Sequence, residues 1–183
     1  FLSDVEKTLK ESRVGLGAQS CEYRDSGAFT GEVSTKMLKS VGCSYVLCGH
    51  SERRKIYGES EGLINAKLQA ALQEGLSPIL CIGETLEERQ EGKTLDVLTR
   101  QLEGGLNQVT KEQMASVVIA YEPVWAIGTG ETASPGQAQD THASIREWIL
   151  RTYDSEVASA TRIQYGGSVK PGNVDELMKK PDI

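Results

Sequence analysis

The sequence predicts an α/β fold built on parallel strands, and three observations carry that prediction. Five short apolar runs recur along the chain, and each is followed by a stretch with helical spacing. Such alternation gives parallel strands joined by right-handed crossovers. The run at 117–121, V-V-I-A-Y, is apolar at every position, as strands buried on both faces are. Helix-start signals stand between the runs: Thr85 with Glu88 and Ser134 with Gln137 have the spacing of a capping box. At 183 residues, with no linker, repeat or low-complexity run, residues 1–183 read as one domain with a real core.

The elements follow in order. Ser3 and Glu6 form a capping box that opens a helix to about residue 11. Residues 14–18, V-G-L-G-A, read as a buried strand. A loop at 27–34, G-A-F-T-G-E-V-S, exposes Phe29 and leads to a short helix through Met37, Leu38 and Val41. Residues 45–48 are the second strand, and 49–54, G-H-S-E-R-R, turn from it into a helix start. A helix runs from about 60 to 74, with Leu63, Ile64, Lys67, Leu68, Ala71 and Leu72 at helical spacing. Residues 78–82 are the third strand, and a helix pair beyond it reaches Asn107, broken at Gly92 and ended by Gly104 and Gly105. Thr110 and Gln113 open a short helix. After the fourth strand and its loop, Ser134 and Pro135 start a helix to about Tyr153. Residues 162–165 are the fifth strand, and Asn173 with Glu176 opens the last helix. An open doubly wound sheet and part of a barrel both fit this order. No G-x-G-x-x-G follows the first strand, which weakens the dinucleotide-binding version.

Composition narrows the function. A net charge of −6 and a pI near 5.1 argue against nucleic acid or an anionic membrane surface as the main partner. No apolar run approaches the ~18 residues of a membrane span, and no signal peptide is visible. Cys21, Cys43, Cys48 and Cys81 form no C-x-x-C pair and read as buried free thiols in a reducing cytoplasm. His50 and His142 lack metal-ligand spacing, so no metal site is expected.

The chemistry centres on residues 117–133. Glu122 closes an apolar strand at its carboxyl end, where α/β folds build active sites. Desolvation there raises a carboxyl pKa and makes the ionised form a stronger base. The loop after it, P-V-W-A-I-G-T-G, has hinges, an apolar centre and tip glycines, as a lid does. A strand-end glutamate in a salt bridge is the plainer reading of Glu122 alone. His50 sits between a strand and a helix start, where a neutral imidazole can donate to a substrate oxygen; satisfying backbone groups is an equal alternative. Gly166, Gly167 and Ser168 follow a strand, and amides with a hydroxyl there suit a phosphate, with Gly128 adding another amide on closure. Glu52 lies within reach of the site and Arg53 reads as a structural partner. Trp125, Trp148 and Met37 read as packing residues.

Together, G-A-F-T-G-E-V-S, G-H-S-E-R-R, C-I-G-E-T-L-E-E-R, A-Y-E-P-V-W-A-I-G-T-G and Y-G-G-S-V closely resemble the triosephosphate isomerase family, in the family's order and over essentially the whole chain. The resemblance implies a (β/α)8 TIM barrel, here a partial barrel of about five β/α units. It implies interconversion of dihydroxyacetone phosphate and glyceraldehyde 3-phosphate in glycolysis and gluconeogenesis, in the cytoplasm and without metal or organic cofactor. Glu122 would be the base and His50 the electrophile. Gly128 and Ser168 would hold the phosphate and Glu52 would support His50. Trp125 would be the lid hinge and Tyr165 its latch. The loop with Thr30 resembles the arm that reaches a second subunit, which implies a homodimer.

Departures from the family pattern set further expectations. The first two strands and the eighth, with the family's asparagine, lysine and final glycine pair, have no counterpart in residues 1–183. The sequence therefore reads as a piece of a longer protein, inactive or nearly so by itself. Glu131 stands where the family often has lysine, and Ser20 where it commonly has asparagine, which leaves the packing around Ser20 open. A non-catalytic remnant of a barrel and a different phosphate-binding barrel enzyme are the competing readings. No strand here ends in the lysine that a Schiff-base enzyme needs.

Overall fold

The computed structural model describes residues 1–127 and 131–183, so Gly128 lies outside the described residues. Its centre is a five-stranded parallel sheet of β1 (Gly17–Ala18), β2 (Tyr45–Cys48), β3 (Ser77–Ile82), β4 (Val118–Tyr121) and β5 (Arg162–Tyr165), paired in sequence order. Strictly sequential parallel order is what consecutive β/α units of a barrel give, and a doubly wound sheet would reverse its order at one strand. The register aligns Cys48 with Leu80, Ile82 with Tyr121, and Tyr121 with Tyr165, so four strand ends open onto one edge.

The helices precede, separate and follow the strands: α1 (Leu2–Leu9), α2 (Thr35–Ser40), α3 (Ser51–Ile56), α4 (Glu61–Gln73), α5 (Leu86–Gln90), α6 (Thr94–Gly105), α7 (Lys111–Met114), α8 (Pro135–Thr152), α9 (Ser155–Ala160) and α10 (Val174–Met178). The core runs through Val46, Leu80 and Ile119, with Ile64, Leu68, Leu102, Ile145 and Ile149 brought onto the sheet by α4, α6 and α8. Truncating one of these leucines to alanine costs about 2–5 kcal/mol, because the cavity left behind only partly collapses. Full capping boxes form at Thr85–Glu88, Thr110–Gln113 and Ser134–Gln137, which satisfies first-turn N–H groups that have no partner inside the helix.

Some elements differ from the sequence expectation. The Ser3–Glu6 box does not form: the Phe1 carbonyl accepts from Asp4 and Val5 at 3.0 and 2.9 Å, which starts α1 one residue upstream of Ser3. The first strand shrinks to two residues, because Val14 is exposed and the Leu16 carbonyl is taken by Ser44 and Tyr45 N–H. Helix α9 was not expected; Asp154 caps it through the Val157 N–H at 2.9 Å. Asn173 precedes α10 without capping it, because its Oδ1 accepts from Lys170 instead. Met37 does not pack: it is 57% exposed on α2. The substitution at Ser20 is accommodated, since its hydroxyl accepts from the buried Lys67 ammonium at 3.2 Å.

His142 is a wholly buried member of α8. Its Nδ1 lies 2.9 Å from the Asp182 carbonyl oxygen, which can only accept, so Nδ1 carries the proton. Tyr121 meets the ring edge-on at 5.9 Å and Tyr165 lies tilted to it at 6.2 Å, and its Nε2 has no partner among the described residues. Burial lowers its pKa below 6.5, and the Arg146 cation adds to the effect against the Asp182 carbonyl and carboxylate. As pH falls below 6.5, the unfolded chain takes up a proton that folded His142 refuses, so stability drops. His142→Gln keeps a donor and removes the titration. Its urea midpoint should therefore fall less than the wild-type midpoint between about pH 7 and about pH 5.

Candidate active site

The site is assembled where β2, β3, β4 and β5 end. Glu122 follows β4 directly, and its N–H donates to the Ile82 carbonyl at 2.7 Å, which continues the β3–β4 ladder one step past the strand. Gly83 faces it at very close range. A Cβ on Gly83 would stand 1.7 Å from the Glu122 carbonyl oxygen, so only glycine lets the two segments meet.

The Glu122 side chain is only 9% exposed. Its Oε2 accepts from the Ser51 N–H at 3.1 Å, and its Oε1 lies 3.3 Å from His50 Nε2. Burial raises its carboxyl pKa, and His50, the Ser51 N–H and Cys81 oppose that rise without cancelling it. The sequence expectation of a desolvated, strengthened base therefore holds in direction.

His50 caps α3, and its Nδ1 accepts the Glu52 N–H at 3.3 Å. An N–H can only donate, so Nδ1 is unprotonated and the neutral ring carries its proton on Nε2, the nitrogen that faces Glu122. Glu52 acts through that backbone N–H. Its side chain is 74% exposed, with Oε2 3.9 Å from His50 Nδ1. Arg53 is the structural partner expected, donating to Glu59 at 2.5 Å.

A cavity of about 500 Å³ opens beside Glu122, lined among others by Gly49, Ser51, Cys81, Gly83 and Trp125. Gly49 turns the chain from β2 to His50 with a φ of +77°, the left-handed region that glycine adopts without strain.

The start of the loop after Glu122 is fixed by a residue to which the sequence reading gave no role. Glu84 is wholly buried just past β3. It accepts from Trp125 Nε1 at 3.0 Å, from Tyr121 Oη at 3.1 Å and from Arg89 Nη1 at 3.0 Å. The Arg89 guanidinium lies 4.8 Å over the Trp125 ring. Trp125 thus sits in a short 3-10 turn, Val124–Ala126, held from below by a buried carboxylate. The sequence signal for Glu84 is a carboxylate just past a strand end, in C-I-G-E-T-L-E-E-R.

The Gly166–Ser168 turn closes the other side. The Gly166 N–H is taken by the Tyr121 carbonyl at 2.7 Å, so it does not serve the amide cradle expected of it. Ser168 Oγ donates to the Ala126 carbonyl at 2.8 Å, which ties this turn to the Trp125 turn. Tyr165 ends β5 half-buried, its ring 6.4 Å from Tyr121, and the Ala133 backbone opposes the rise that burial causes in its pKa. Thr30 stands apart, exposed on the 27–34 loop, where the Arg24 guanidinium stacks 4.3 Å from the Phe29 ring. Glu131 is exposed.

The sequence model of the family described as triosephosphate isomerase matches residues 1–183. Proteins named triosephosphate isomerase from Chloroflexus aurantiacus and Syntrophotalea carbinolica are 53% and 54% identical over 182 residues, covering 100% of this chain and 73% and 72% of those proteins. The protein of that name from Symbiobacterium thermophilum is 56% identical, over 100% of this chain and 71% of its own length.

The close approach at Gly83 can be tested without any assay of function. Gly83→Ala should lower the unfolding free energy by about 1–3 kcal/mol, as overpacking does, read from urea denaturation midpoints.

Proposed function

The chain belongs to the triosephosphate isomerase family, and on that premise we propose that it interconverts dihydroxyacetone phosphate and D-glyceraldehyde 3-phosphate through an enediolate. The observation that carries the mechanism is the pairing of a desolvated carboxylate, Glu122, with the protonated Nε2 of a neutral His50 at 3.3 Å, beside a cavity. Glu122 takes a proton from the carbon next to the carbonyl and returns it to the neighbouring carbon. His50 Nε2–H donates to the carbonyl oxygen, where negative charge develops. A preorganised donor at such an oxygen is worth about 3–4 kcal/mol, and a positioned general base about 10²–10⁴-fold.

The same reading gives Gly128 and Ser168 the substrate phosphate, Trp125 the hinge of a lid over residues 123–133, and Tyr165 its latch. The Glu84 contacts support the hinge role, since they hold the Trp125 turn rigid at one end. Lid closure excludes water and retains the enediolate. The five β/α units are placed inside an eight-unit barrel, and the chain acts as a homodimer through the loop carrying Thr30. No metal or organic cofactor enters. A cytoplasmic place in glycolysis and gluconeogenesis fits the four free cysteines, since disulfides are rare in reducing compartments.

Two variants of the full-length protein test the assignment. Glu122→Gln should lower turnover by about 10²–10⁴-fold while binding of a phosphate-bearing substrate analogue persists. Because the folded pKa of Glu122 is raised, its ionised form destabilises the fold above the ordinary carboxylate range, so the same variant should unfold at a higher temperature near neutral pH. His50→Gln should lower turnover by about 10²–10³-fold. Full turnover in Glu122→Gln would refute the mechanism, and a wild-type protein that binds the analogue without turnover would favour a non-catalytic remnant.

A further inference from the structure

A buried glutamine, unused by the proposed chemistry, grips Gly83. Past its end, β3 goes on pairing with the chain after β4. The Ile82 carbonyl accepts the Glu122 N–H at 2.7 Å, and the Glu84 carbonyl accepts the Val124 N–H at 3.1 Å. The backbone groups of alternate residues in a parallel ladder face opposite neighbours, so those of Cys81 and Gly83 face the β2 side. β2 does not reach them: it ends at Cys48, opposite Leu80, and the chain turns away at Gly49. Two side chains stand in its place. The Arg54 guanidinium donates to the Cys81 carbonyl at 3.1 Å and to the Gly49 carbonyl at 2.7 Å. The Gln101 carboxamide meets Gly83 as a strand would. Its Oε1 accepts the Gly83 N–H at 2.7 Å, and its Nε2 donates to the Gly83 carbonyl at 3.2 Å. Gln101 is only 5% exposed on α6, and it lines the same cavity as Glu122.

The geometry points to Gln101 as a positioning residue for the base, acting through the Gly83 backbone to set where the Glu122 carboxylate stands. The link is one planar peptide unit. The Gly83 N–H and the Ile82 carbonyl belong to the same peptide plane and point in opposite directions. Gln101 holds the N–H, which aims the carbonyl on the far side at the Glu122 N–H. A second bond, from Gln101 Nε2, fixes the next peptide plane, which leads into Glu84.

The residue types suit the task. Gly83 must lack a side chain to meet the Glu122 backbone, and a glycine is the least restrained point of any segment. Bonds to both its N–H and its carbonyl remove that freedom at the position where the base needs a fixed support. A carboxamide supplies the acceptor and the donor together, whereas an ionised carboxylate has no donor and would add a charge beside Glu122. The effect on turnover rests on the base role proposed for Glu122, whereas the placement of its carboxylate does not.

The test compares the full-length wild-type protein with Gln101→Met and Gln101→Asn. The first keeps the length and loses the carboxamide. The second keeps the carboxamide one methylene short of Gly83, and it serves alone if the methionine variant does not fold. Two readouts are taken on the folded protein. In steady-state kinetics, kcat and kcat/KM should fall together by about tenfold to 100-fold, the cost of a catalytic group misplaced by up to about 1 Å, with KM almost unchanged. In amide NMR spectra of nitrogen-15-labelled protein, the Ser51 N–H donates to Glu122 Oε2, so its proton resonance should move upfield as that bond lengthens. Loss of stability alone would move neither value in the molecules that remain folded. An unmoved Ser51 resonance would overturn the placement. A moved resonance with full kcat, or a rise in KM at constant kcat, would overturn the positioning role while leaving the isomerase reading intact. A wild-type protein without turnover would instead overturn that reading and the catalytic part of this inference with it, and the Ser51 resonance decides the placement in either case.

Discussion

The geometry of this site depends on how closely β3 and β4 approach just past their ends. The hydrogen bond from the Glu122 N–H to the Ile82 carbonyl, at 2.7 Å, holds the base in line with its strand. It forms only because Gly83 presents no side chain to the Glu122 backbone. That single close contact sets the height of the carboxylate relative to Ser51 and His50, which come from β2 on the other side of β3. It also places Glu84, the next residue along, directly beneath the turn that follows Glu122. One backbone approach therefore fixes both the reacting group and the anchor of the loop above it.

The two buried carboxylates on either side of this contact are handled in opposite ways. Glu84 has three side-chain donors, one of them cationic, and is fully compensated in the low-dielectric interior. Such a charge is stable while its partners stay and costly once one is removed. Glu122 has one backbone donor and a neutral imidazole, and burial outweighs them. Burial raises the proton affinity of Glu122, and Glu84 anchors the loop above it. Separation of two similar groups by environment is the usual way in which a protein assigns them different work.

Much of this was legible in the sequence. The parallel alternation, the five strands and three of the capping boxes could be read because each rests on local signals: apolar runs, spacing and side chains that cap their own turn. The Ser3 box failed because a competing backbone bond from Phe1 decided the first turn, and spacing alone cannot weigh the two. Glu122 and His50 were legible as candidates, and their 3.3 Å separation was not, because it depends on register between strands far apart in sequence. Glu84 escaped notice for the same reason: its three donors come from Tyr121, Trp125 and Arg89, and only folding assembles them. The Gly166 amide was misjudged because a glycine turn does not reveal which of its N–H groups the neighbouring strand has already taken.

The Glu84–Trp125 bond has an optical consequence. An indole whose N–H points at a buried carboxylate, with a guanidinium over its ring, sits in a strong local field and emits accordingly. The chain has two tryptophans, and the other, Trp148, lies on α8 packed against the core. A change in emission intensity or wavelength with Trp148 undisturbed would therefore report on the Trp125 turn, and the protein carries its own fluorophore at the base of the loop.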